Sequence, residues 1–177
     1  MNSAEMNKAY PNKGKRIKRK SLGGEALLQK DYGNPLDCTL TSLAFLFGKN
    51  NYDVIEKYAM KTGYNGIVNG TRPTAIKYIM TQTMKELKIR GRTKSAYGKN
   101  VGYNWKKVVS LIDKNKYVVL SLFDDGMNHY HNHTVTIIGY EEFENEKFFI
   151  VYDNWSTIPQ FIDYKKLCVI SSINWYE

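Results

Sequence analysis

The chain has 177 residues, 42% of them hydrophobic and 14% aromatic, which suits one domain with a core of its own. It holds no run of 18 apolar residues, which excludes a transmembrane helix, and a basic run without an apolar one behind it is not a signal peptide. Six of the nine net positive charges fall between Lys13 and Lys20, which leaves the rest of the chain only mildly basic.

Residues 1–24 are polar and basic, with Pro11, Gly14 and the pair Gly23-Gly24, and are expected to form a disordered tail ahead of a single domain over 25–177. The run 13–20 reads as a solvated linker or as an arm for a polyanion. No aromatic residue alternates with its charges to stack bases, so no specific nucleic-acid site is expected. As a mature or excised piece of a longer protein, the chain would also be compatible with a secreted or surface location.

Gln29 precedes a turn-like stretch, Lys30 to Pro35. The segment Cys38 to Phe47 then places Leu40, Leu43, Ala44 and Phe47 on one helical face, with Asp37 as the expected N-cap and Gly48 as the C-cap. Further helices are expected over Asn51–Lys61, from Pro73 onward, and from Asn104 to Lys114. The last has Trp105, Val108, Val109 and Ile112 inward. Residues 91–103 show little pattern and read as a connection. Tyr117 to Phe123 is an expected strand. Thr134 to Tyr140 and Phe148 to Tyr152, β-branched or aromatic at nearly every position, form a hairpin in which residue numbers of facing partners sum to about 288. Gln160–Ile162 and Leu167–Trp175 supply closing strands. Helices followed by an antiparallel sheet make an α+β arrangement.

Cys38 and Cys168 do not form a disulfide framework. Cys168, among apolar neighbours in a terminal strand, reads as a core residue. Cys38 sits where the free N–H groups of a helix start favour a thiolate, although a buried structural cysteine fits the same position. The only histidines are His129, His131 and His133. Spaced two apart on an extended segment they share a face, a pattern that also fits zinc, but no carboxylate or thiol at a known spacing completes such a site. No metal or cofactor is therefore expected. His133 opens the apolar strand and is the candidate general base and acid for Cys38, with His129 and His131 on the rim. Asp153, at the far end of the hairpin, is placed to accept the imidazole N–H, Trp155 to shield that contact, and Gln29 to donate to an oxyanion together with the Cys38 N–H.

The order of Gln29, the Cys38 helix, the His133 strand and Asp153-Asn-Trp155 resembles the papain-like cysteine peptidases. It is closer still to the bacterial group related to the double-glycine leader peptidases that process bacteriocins. Gln29, Pro35, Cys38, Ser42, Leu43 and Ala44 match the first motif, His133 with Gly139-Tyr140 the second, and Asp153 with Trp155 the third. The resemblance spans about residues 26–168. It implies a papain-like fold, with an N-terminal helical part carrying the nucleophile packed on a C-terminal antiparallel sheet. It also implies a thiol hydrolase acting on peptide or protein substrates through Cys38, His133, Asp153 and Gln29. An acyltransferase using the same residues and a non-catalytic binding module are the other readings of this set. Asp37 and Thr39 flank the cysteine here. An acidic neighbour raises a thiol pKa unless its carboxylate is engaged as the cap.

Overall fold

The sheet that carries the chain is antiparallel throughout its named strands, and helices pack on it, which makes the fold α+β. The computed structural model describes residues 1–32, 36–66, 70–122, 130, 132–167 and 169–177. The expectations attached to Pro35, His129, His131 and Cys168 lie outside the described residues. Among the described residues no helix is long and apolar enough to cross a membrane.

In chain order the elements are α1 (Ser3–Ala9), β1 (Arg16–Ser21), a 3₁₀ turn (Gln29–Tyr32), α2 (Cys38–Phe47), α3 (Tyr52–Met60) and α4 (Pro73–Glu86). They continue with β2 (Thr93–Tyr97), α5 (Trp105–Asp113), β3 (Val118–Ser121), β4 (Thr134–Phe143), β5 (Lys147–Tyr152), β6 (Gln160–Asp163) and β7 (Ser172–Tyr176). The strand order is β2-β7-β3-β4-β5-β6, with β1 paired to the distal half of β4. The hairpin pairs as expected at Thr136–Tyr152 and Ile137–Val151. A bulge between Ile137 and Gly139 then shifts the register by one, so that Tyr140 faces Phe149.

Two hydrophobic layers sandwich the sheet. On one face Val118, Leu120, Val135 and Ile137 pack with Trp105, Val108, Leu111 and Ile112 of α5. On the other, Val119 packs with Leu40, Leu43, Ile55, Ile76 and Met80 from α2, α3 and α4. Alternation along β3 dictates this split, since Val118 and Leu120 point one way and Val119 the other. Each fully buried Leu or Ile stabilises the fold by roughly 1.5–3 kcal/mol. Helix α2 is buried nearly all round, Thr39, Thr41 and Ser42 included, because α3 covers one side and β4 the other. The Asn104 cap of α5 forms as expected, its side chain accepting from the Lys107 N–H at 3.0 Å.

Two expectations are corrected, at the N-terminus and at residues 91–103. Residues 1–24 are not a disordered tail. A capping box between Asn2 and Glu5 starts α1, and Met6 is buried against β5 and β6. Strand β1 is basic because its counter-charges are supplied by distant elements. Arg16 pairs with Glu141 at 2.9 Å and Lys18 with Asp113 at 2.8 Å, and Lys20 donates to the Asp113 carbonyl at 2.9 Å. Nor is 91–103 featureless, since β2 within it pairs with β7 along five residues. The sheet thus draws strands from both ends of the chain rather than from its C-terminal part alone.

Candidate active site

Cys38 is the first residue of α2. The residue before it does not cap the helix as expected. The Asp37 backbone carbonyl accepts the Thr41 N–H at 2.8 Å, but its carboxylate makes no cap hydrogen bond. It is wholly buried and takes the hydroxyls of Tyr52 and Tyr64 instead. Burial raises the Asp37 pKa and the two hydroxyls oppose the rise. The carboxylate next to the thiol in sequence is therefore satisfied within the α2–α3 layer.

Burial pushes the Cys38 thiol pKa up, while main-chain and side-chain hydrogen bonds with Thr134 and Thr39 pull it down. Thr134 is the first residue of β4 and follows His133. The Thr39 and Thr134 hydroxyls share a hydrogen bond at 2.9 Å, which joins the starts of α2 and β4 directly.

His133 is 4% exposed. Its backbone carbonyl accepts the Leu122 N–H at 2.7 Å, extending the β3–β4 ladder by one step. The ring stacks on Trp155 with centroids 4.1 Å apart, and Tyr130 stacks on it at 5.6 Å. Trp155 thus lies against the imidazole, though it is itself half exposed. Ring Nε2 meets the Asp153 main-chain carbonyl at 2.6 Å. This corrects the expectation for Asp153, whose carboxylate was to be the acceptor. One of its carboxylate oxygens accepts the Trp155 and Ser156 N–H groups at 3.1 and 3.0 Å and so closes the turn after β5. A carbonyl oxygen can only accept, which puts the proton of the neutral ring on Nε2 and leaves Nδ1 as the basic nitrogen.

Gln29 opens the 3₁₀ turn and is 5% exposed, and its N–H donates to the Asn154 carbonyl at 2.8 Å. Cys38, His133, Gln29 and Trp155 line one cavity of about 350 Å³, with Leu36, Gly70 and Pro73 among the residues of its wall. Asp153 does not line it. A larger cavity of about 530 Å³ lies between α1 and β6, and none of these four residues reaches it. A thiol, an imidazole and a carboxamide around one cavity are the groups that nucleophilic acyl chemistry requires.

The zinc reading falls mostly on residues that the structure does not describe. His129 and His131 lie outside the described residues, and among the described residues no three metal-ligating side chains gather. Sequence reasoning passed over Asn154, whose amide nitrogen lies 2.9 Å from the carbonyls of both Cys38 and Thr134. Only its place between Asp153 and Trp155 drew notice to it. Compared with models of known protein families and with curated proteins, the chain matches none.

Proposed function

We propose that the protein is a papain-like thiol hydrolase that cleaves peptide or amide bonds. The observation that carries this reading is the gathering of Cys38, His133 and Gln29 around one cavity, with the His133 Nε2 already committed to the Asp153 carbonyl. In the proposed reaction the Cys38 sulfur attacks the substrate carbonyl carbon and His133 Nδ1 takes the thiol proton. The C–N bond breaks, the leaving amine receives that proton, and a thioester remains on Cys38. Water then attacks the thioester, His133 again carries the proton, and the acid departs with the thiol restored. Gln29 and the N–H at the start of α2 would face the oxyanion.

Burial disfavours a lone thiolate here. In the proposed chemistry an imidazolium on His133 would offset that cost and favour the thiolate. Iodoacetamide alkylation followed against pH, with Cys38 located by peptide mapping, tests this. Wild-type protein is expected to react below neutral pH faster than free cysteine. His133→Ala should lose that low-pH limb and react only at a pH above the ordinary cysteine range, because burial then outweighs the hydrogen bonds from Thr134 and Thr39. A wild-type Cys38 no faster than a free thiol would refute the hydrolase and leave a binding module.

A further inference from the structure

Four hydrogen bonds converge on Asn154, a residue the proposed chemistry does not itself use. Its side-chain nitrogen lies 2.9 Å from the Cys38 carbonyl, 2.9 Å from the Thr134 carbonyl and 2.9 Å from Ser42 Oγ. Its own carbonyl accepts the Gln29 N–H at 2.8 Å. The residue is 2% exposed and its backbone is left-handed, with φ at 64°, a conformation that asparagine tolerates better than most residues.

The chemistry of these partners fixes the amide's orientation. Two of the three groups facing the nitrogen are main-chain carbonyls, which only accept, so the NH₂ end and not the oxygen must point at them. Two hydrogens serve three acceptors, and one of them is shared. The two carbonyls belong to the residue that carries the thiol and to the residue that follows the imidazole. The neighbours of Asn154 act on the same imidazole. The Asp153 carbonyl holds Nε2, and the Trp155 ring lies against its face.

We infer that Asn154 is a positioning residue that sets the separation of Cys38 and His133 by clamping the first residue of α2 to the first residue of β4, and that it holds Gln29 at the same cleft through its carbonyl. The inference rests on the hydrolase reading. Near-attack geometry explains why a clamp matters, since a misplacement of about 1 Å can cost up to ~100-fold in rate.

Two variants test it. Asn154→Gly accepts the left-handed backbone but has no amide. Asn154→Asp keeps the shape but turns an oxygen toward two carbonyl oxygens. Both are followed by circular-dichroism melting and by the pH profile of iodoacetamide alkylation at Cys38. The expected result is a cooperative melt in either variant, a low-pH limb reduced at least ~10-fold, and an unchanged rate at high pH, where the thiol ionises without help. A general collapse would instead expose the thiol and raise the high-pH rate. Variants that keep the low-pH limb while wild type shows it would overturn this inference alone. Failure of both variants to fold, or the collapse signature, would also overturn it, because Asn154 would then serve the fold and not the pair. A wild-type protein without the limb would overturn the hydrolase reading and this inference with it.

Discussion

At the scale of residues, the group that holds the imidazole matters most. In a serine-protease type of triad a buried carboxylate both orients the ring and stabilises its cation, and removing that charge costs several orders of magnitude. Here the 2.6 Å contact to Nε2 comes from a main-chain carbonyl, while a carboxylate oxygen of Asp153 accepts two N–H groups of the following turn. Asparagine offers the same acceptor to that turn and leaves the carbonyl in place. Asp153→Asn is therefore expected to keep the low-pH alkylation of Cys38 within about tenfold of wild type, far from the loss expected for His133→Ala. A deficit in Asp153→Asn as large as that of His133→Ala would restore the carboxylate to the orienting role. Asp37 teaches the same lesson about neighbours in sequence. Read along the chain it is a cap and a threat to the thiolate, yet in space its partners are Tyr52 and Tyr64, 15 and 27 residues away.

At the scale of elements, β4 does two jobs. Its first residues belong to the site, and its last residues pair with β5 on one side and β1 on the other. Gly139 makes the second pairing possible. A Cβ there would collide with the backbone of Lys20 and Ser21, where β1 comes closest. Gly139→Ala should therefore push β1 off β4 and destabilise the fold by about 1–3 kcal/mol, as overpacking does. Hydrogen exchange should show faster amides in β1 but not in β3, and equal protection in β1 would refute the account. The β4–β5 hairpin was legible because its strands are apolar and β-branched almost without a break, and the bulge that moves the register by one sits at the glycine. The strand β1 was not, because its stability comes from Glu141, Asp113 and a glycine more than 90 residues away, none of which marks a local pattern. β2 was hidden for a similar reason: Thr93 to Tyr97 are half-buried or exposed, and only β7 beside them makes them a strand. That Cys38, His133 and Gln29 would meet at one cavity was legible by residue type and order. Asn154 was not, since a carboxamide facing two backbone carbonyls leaves no trace in sequence.

At the scale of the molecule, the candidate site and strand β1 occupy opposite ends of β4. The site gathers where α2, the start of β4 and the turn after β5 meet. Strand β1 pairs with the distal half, and α1 packs on β5 and β6 with Met6 near Phe143, Phe148 and Phe161. Their removal should therefore separate stability from chemistry. Deleting residues 1–21 loses the burial of Met6, roughly 2–3 kcal/mol. It also loses the ladder to β4 and ion pairs whose lysine and arginine members are half exposed, each worth at most about 1 kcal/mol. For a chain of this size that corresponds to a fall in melting temperature of about 5–15 °C. The uncovered edge of β4 and the exposed aromatic cluster should also make the shortened protein prone to associate, which light scattering would detect. The hydrogen bonds described at Cys38, His133, Gln29 and Asn154 involve no residue of α1 or β1. The folded, shortened protein is thus expected to keep the low-pH limb of Cys38 alkylation at a temperature below its transition. If it loses the limb while its sheet remains intact by circular dichroism, the N-terminal segment takes part in the site, and the division of labour along β4 is wrong.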